Sequence, residues 1–353
     1  MSCPAFTDPS AALRGARGPL VVLRAGALGL LLLAAASAAP AQQVEDSTFV
    51  PKVKKPCFAG QKPIVMVDEA HANYFTMDGR YRAFAALLAA DGMRVVPGVQ
   101  RFSPGLLKAC QVLVVADALG APRYNEPKAG DPAFTASECE VVAAWVKDGG
   151  SLLLIADHAP FATAMDSLAL RFGVEMTKAY AMDTRRVDPE TGNMGCILFT
   201  RDKKTVADHP ITRGRDRSER ISRVVTFTGQ SLLGPPGSAA FLVLGPSAVD
   251  LPFTQEGARA IESRLANPGD LSDGLRRRGA VSAAGRAQGV AFRFGKGRVV
   301  VLGEGAMFGT QRVFGSDAQK MGQSELHLGL NRSDLDNQQL ALNIMHWLVR
   351  VLD

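Results

Sequence analysis

Cysteine is scarce, five in 353 residues, and none of the five falls in a Cys-x-x-Cys pair or at zinc-knuckle spacing. A dithiol redox motif and a cysteine-built zinc finger are therefore excluded. Cys57, Cys110, Cys139 and Cys196 follow the amino-terminal region, an even number that permits two disulfides in three connectivities, or free thiols in a core large enough not to need stapling. No G-x-x-x-x-G-K-[ST] phosphate loop occurs, so Asp68-Glu69-Ala70-His71 is a helicase box in letters only. Gly229-Gln230-Ser231 begins like a nucleophile elbow, but Leu233 stands where the motif closes with glycine, which argues against a serine hydrolase. Gly303 to Gly309 misses the dinucleotide fingerprint by one residue and comes late in the chain. The formal charge of +6 is small and dispersed, which leaves nucleic acid out as a partner. There is no internal repeat and no low-complexity tract.

What is present is a composition close to the globular average, 47% hydrophobic and 21% charged, which excludes a disordered or fibrous chain. Arg14, Arg17 and Arg24 precede an apolar, small-residue run over 25–39 that closes on Ala39-Pro40-Ala41. The pattern reads as a signal peptide over 1–41, cleaved after Ala41. Its run of about 15 residues is short of the roughly 20 that span hydrocarbon. The expected location is periplasmic or secreted, with no helical membrane span in the mature chain, and no cysteine follows the run to carry a lipid. Residues 42–62 are polar, with Pro51, Pro56 and a basic stretch at 52–55, and read as a linker.

From residue 63 short β-branched runs alternate with helical stretches, as an α/β protein requires. Strands are expected at 64–67, 93–96, 112–116 and 151–155, and helices at 81–90, 103–110 and 135–147. Thr135 and Glu138 form a capping box for the last of these, and Gly149-Gly150 ends it. Residues 177–286 are irregular and read as an insertion that caps the sheet, with strands near 224–228 and 241–244. A hairpin joins 290–294 to 298–302 through Gly295-Lys296-Gly297. A last helix starts near Ser333, with Asp336 completing its capping box, and packs through Leu340, Ile344, Trp347 and Leu348. The expected fold is a flavodoxin-like open parallel sheet of order near 2-1-3-4-5, with the carboxy-terminal hairpin at its edge.

In such a sheet the residues after the strands converge on one rim, where ligands bind. The first strand runs into Asp68, Glu69, His71 and Asn73, the third into Asp117, the fourth into Asp157 and His158, and the hairpin strand into Gly303-Glu304-Gly305. Carboxylates paired there can hold a hard cation, and a histidine beside an aspartate can move a proton. The catalytic candidates are His71, His158, Asp157 and Glu304. Asn73, Asp117, Gly303 and Gly305 are the substrate-binding candidates, and Asp68 with Glu69 the metal ligands. Taken singly, each aspartate could equally cap its loop and each histidine satisfy a local hydrogen bond. His346 reads as a packed helix residue, and His209, within Asp208-His209-Pro210, as part of a turn.

The strand ends Asp68-Glu69-Ala70-His71 and Ala156-Asp157-His158, the segment Asp208-His209-Pro210-Ile211-Thr212-Arg213-Gly214, the turn Gly295-Lys296-Gly297-Arg298-Val299 and the helix over 343–348 together resemble the class I glutamine amidotransferase-like superfamily. The likeness covers 63–353 and is strongest to an exported branch of that superfamily, whose domain has no assigned function. It implies the fold just described. In active amidotransferases a cysteine occupies the turn after the strand equivalent to 151–155; here that turn reads Asp157-His158-Ala159-Pro160, so a thiol mechanism is ruled out at that position. The functional expectation is a metal-assisted hydrolase, using a divalent cation, on a polar envelope or carbohydrate-type substrate. The alternatives are a non-catalytic module that binds a sugar, peptide or other small molecule, and a scaffold that uses only the fold's surface.

Overall fold

The structure is a computed structural model that describes residues 42–59, 63–252, 274–275, 277–315, 318 and 324–353. The signal-peptide reading of 1–41 lies outside the described residues.

The uninterrupted apolar runs form strands buried on both faces, as parallel strands between helix layers do. Strand β2 (Ile64–Asp68) pairs in parallel with β3 (Arg94–Gly98) on one side and β4 (Val112–Ala116) on the other. Beyond β4 lie β5 (Ser151–Ile155) and β15 (Gly297–Leu302), also parallel. Counted in chain order, these five strands stand 2-1-3-4-5, the flavodoxin-like order expected from the sequence.

Strand alternation divides the core in two. Val65, Val67, Val114, Leu153, Ile155 and Val300 face Phe84, Leu87 and Leu88 of α1 (Arg82–Ala90) together with Leu340, Ile344 and Trp347 of α6 (Asn337–Leu348). Met66, Leu113, Val115, Leu154 and Val301 face α3 (Ala136–Lys147) and α4 (Phe161–Arg171), with Leu107 of the short α2 (Pro104–Leu107) beside them. Helix α3 carries the expected capping box: Glu138 N–H donates to Thr135 Oγ1 at 3.2 Å, and Thr135 N–H to Glu138 Oε2 at 3.0 Å.

Four expectations need correction. The hairpin of β14 (Ala287–Phe294) and β15 is not the sheet's edge, because β14 also pairs with β10 (Leu232–Leu233) and β11 (Ala239–Val243), and β10 with β6 (Glu175–Met176). For the same reason the 177–286 insertion does more than cap: part of it widens the central sheet. The rest builds a three-stranded sheet from β7 (Tyr180–Asp183), β12 (Ala248–Leu251) and β13 (Val281–Ser282), and a ribbon of β8 (Cys196–Thr200) with β9 (Arg223–Phe227). The linker reading of 42–62 fails at its start, where β1 (Gln42–Glu45) pairs with β16 (Thr310–Phe314), itself paired with β17 (Glu325–Gly329). Finally, Asp336 makes no side-chain cap for α6; its carboxylate instead accepts the amides of Ser222 at 2.7 Å and Arg223 at 3.0 Å, pinning the helix start to β9.

All four cysteines named above are free thiols. His346 is fully buried and bonds Asp91 at 2.7 Å, and His209 Nδ1 accepts the Ile211 amide at the start of α5 (Pro210–Arg213), so both serve packing. Among the described residues no helix is long and apolar enough to cross a membrane.

Candidate active site

Because β2, β4, β5 and β15 run in parallel, the acids that follow them do leave the sheet on one rim. They then divide into two groups that do different work.

The first group centres on His71. Its Nδ1 lies 2.9 Å from both oxygens of Asp68, and its Nε2 lies 2.9 Å from Glu138 Oε1 on α3. Phe102 and Phe134 close over the ring at centroid distances of 4.6 and 4.8 Å, and the side chain has no solvent-accessible surface. Burial alone would depress the imidazole pKa, but the bonds to Asp68 and Glu138 outweigh it and hold the value above normal. For Glu138 burial likewise opposes ionisation, yet the bond to His71 and the amide and hydroxyl of Thr135 bring its pKa down to about 2. The group thus ties the β2 loop to α3, and Arg101 bonds the other oxygen of Glu138 at 3.2 Å from the solvent side. Both nitrogens of His71 are committed, which removes it as a catalytic base.

The same geometry corrects the metal and binding assignments around it. Asp68 also accepts Asn73 Nδ2 at 3.0 Å, so both its oxygens are engaged and Asn73 is a strut for the loop; Glu69 accepts the Met77 amide through Oε1 at 2.7 Å. Among the described residues, no three His, Cys, Asp or Glu side chains are placed to hold a metal ion. Gly303 and Gly305 are glycine because of neighbours within the protein: an added Cβ would meet Gln230 O at 2.3 Å at the first and the Phe75 ring at 2.7 Å at the second.

The second group is Asp117, Asp157 and Glu304. Asp117 sits at φ 45°, in the left-handed region that a non-glycine residue enters only when its surroundings hold it there. That turn aims Oδ1 at the Asp157 amide, 2.8 Å away, and brings the two carboxyl groups into hydrogen-bond contact. Asp117 Oδ2 and Asp157 Oδ1 are buried without a donor. Two ionised carboxylates would repel there, whereas a single shared proton supplies the missing donor. Glu304, behind them, accepts the amides of Ala306 at 2.6 Å and Met307 at 2.9 Å. Burial raises all three pKa values: Asp117 to about 7, Glu304 to about 8, and Asp157 well above the usual carboxylate range, the last also pushed by the charges of Asp117 and Glu304.

Of these acids Asp157 reaches the surface of a cavity of ≈ 720 Å³, and His158 stands next to it in the wall. His158 Nδ1 lies 2.6 Å from the Ala159 carbonyl, which can only accept, so Nδ1 carries the hydrogen and the neutral ring keeps its lone pair on Nε2. Burial lowers its pKa and favours that neutral form. The ring packs on Tyr180 at 4.2 Å between centroids. Tyr74, Tyr124 and Phe161 form an aromatic wall with centroid separations of 5.3 to 6.4 Å. Amide side chains of Gln43, Asn125, Asn193 and Gln311, together with Arg80, supply polar contacts around it. Thr228, a β-branched residue held at φ 72°, also lines the cavity, its amide bonded to Gly195 O at 2.8 Å.

Sequence reasoning named Asp157, His158 and Glu304 as catalytic candidates and Asp117 as a substrate contact; the structure places them on one rim, with Asp117 turned to Asp157. Sequence reasoning missed Glu138, whose capping-box signature concealed a second partner, and the cavity wall, whose members come from separate segments without a shared motif.

The fold and the cavity define a flavodoxin-like α/β protein with an acid pair at the carboxyl ends of its parallel strands. No family model matches the chain, and no curated protein matches it in sequence. Among solved structures, the mmIFT52 N-terminal domain is similar at a TM-score of 0.53 and 14% identity, over 81% of this chain and 96% of that one. A cytoplasmic protein of Salmonella typhimurium LT2 follows at 0.39 and 15%, over 68% and 87%. The exo-beta-1,4-mannosidase Op5Man5 from Opitutaceae bacterium strain TAV5 follows at 0.36 and 12%, over 83% of this chain and 36% of its own. The first likeness shows a shared fold and no more, and the other two are too remote to bear on function.

Proposed function

We propose that this chain is an exported hydrolase of the class I glutamine amidotransferase-like fold that acts by acid–base chemistry, without a thiol, on a polar, hydroxyl-rich substrate such as a saccharide. The observation that carries the reading is the Asp117–Asp157 carboxyl pair, buried, short of donors and opening through Asp157 onto a cavity beside a neutral imidazole. A carboxyl group that keeps its proton near neutral pH is a general acid, and a neutral imidazole is a general base. Asp157 gives its proton to the leaving oxygen as the bond to it breaks. A water adds its hydroxyl to the vacated carbon and passes its proton to His158. The two proton transfers balance, and both groups return to their starting states by exchange with solvent. No step is routed through the metal anticipated from Asp68 and Glu69.

The test is hydrolysis of a panel of 4-nitrophenyl glycosides and 4-nitrophenyl esters by the full chain. At least one is expected to release nitrophenolate, and Asp157→Asn should slow that release by about 100-fold or more. A wild-type protein that binds saccharide but cleaves nothing in the panel would overturn the catalytic reading. The aromatic and amide wall would then favour a non-catalytic saccharide-binding module.

A further inference from the structure

We propose that Arg80 forms an anion subsite in this cavity, which takes the acidic group, carboxylate or sulfate ester, of a charged saccharide. The inference rests on the reading of the cavity as a saccharide site. Arg80 lines the cavity with Tyr74, Asp157 and His158, and its guanidinium carbon sits 4.3 Å above the Tyr74 ring. That stacking fixes the plane of the guanidinium and leaves its edge of N–H donors facing away from the ring. Among the described residues no carboxylate lies within ion-pair distance of it. Glu126, the other acid in the cavity wall, is held by Arg123 at 3.0 Å. Glu45 feels the charge of Arg80 without forming an ion pair with it. Asp157 sits against Asp117, and burial pushes its carboxyl toward the neutral form. A positioned guanidinium with no ion-pair partner among the described residues, in a cavity lined largely by aromatic rings and amides, is complementary to a planar or tetrahedral anion bound through two parallel hydrogen bonds. The Tyr74–Tyr124–Phe161 wall beside it offers flat apolar faces to the C–H side of a sugar ring.

Titration calorimetry on the full chain carrying Asp157→Asn, so that no probe is turned over, tests this with trigalacturonate, a sulfated galactotriose and neutral galactotriose. An acidic trisaccharide is expected to bind at least tenfold more tightly than the neutral one, and in Arg80→Met the ratio of the two affinities is expected to fall to about one, whatever the change in either affinity alone. Whichever acidic probe binds better identifies the group as carboxylate or sulfate. Arg80→Lys keeps the charge without the fork and should retain only part of the preference, which covers the case in which the methionine variant does not fold. Equal binding of acidic and neutral probes, or a preference that survives Arg80→Met, overturns the subsite. Binding of neutral galactotriose with no added affinity for either acidic probe would leave the saccharide reading standing while this inference falls.

Discussion

Replacing His71 with alanine is expected to destabilise the protein by about 3 kcal/mol near pH 6, measured by urea denaturation, because it leaves Asp68 buried without its imidazole partner and Glu138 with Arg101, on the solvent side, as its remaining counter-charge. The pH dependence identifies the cause. The folded-state pKa of His71 is raised, so its contribution is complete below its unfolded value of 6.5 and fades as pH climbs through the folded value. Glu138 is lowered from 4.5 to about 2, so its contribution holds above 4.5 and is lost as pH falls toward 2. The gap between wild type and His71→Ala should therefore be widest between these limits and narrow on both sides. The folded fraction of the variant should keep its ligand affinity, since the ring faces Phe102 and Phe134 and not the cavity. A variant within about 0.5 kcal/mol of wild type would show that the bonds of His71 hold nothing together.

The sheet was legible in the sequence because strands such as Val112–Ala116 and Ser151–Ile155 are covered on both faces, which leaves an unbroken apolar run as their signature. The acids after them were legible for a related reason: a charged residue straight after such a run has to sit at a strand end. What could not be read is the direction each one takes. Asp68 and Asp117 follow neighbouring strands, yet Asp68 turns to His71 and α3, whereas Asp117 enters the left-handed region and turns to Asp157. That difference depends on Glu138, 67 positions beyond His71, and on backbone contacts that leave no local pattern. Strand β1 escaped for another reason. Its residues Gln-Gln-Val-Glu have no apolar alternation, and it is a strand because β16 offers an open edge of backbone donors and acceptors. Gly303 and Gly305 announced a close approach correctly, but the approaching groups are Gln230 and Phe75.

Asp117→Asn should stabilise the protein at alkaline pH, by on the order of 2–4 kcal/mol at pH 9, and change little at pH 4. Burial raises the Asp117 pKa from 3.8 to about 7, so the folded protein holds a proton that the unfolded chain has already lost over that interval. Stability therefore falls as pH rises from about 4 to about 7 and stays reduced above it; Glu304, raised from 4.5 to about 8, adds to the same trend. Asparagine removes the ionisation while keeping an oxygen for the Asp157 amide, and its Nδ2 can donate to the Asp157 carboxylate, the contact now made by the shared proton. Glu304→Gln is a poorer choice, because both oxygens of Glu304 accept backbone amides and a glutamine has only one to offer. Thermal melts of wild type and Asp117→Asn from pH 4 to 9 read the effect directly, with the two curves expected to diverge as pH rises. Parallel curves would mean that Asp117 ionises as readily in the fold as outside it. The proton proposed for catalysis would then have no reason to reside on the pair at neutral pH, and the same set of melts thus bears on stability and on function through one carboxyl group.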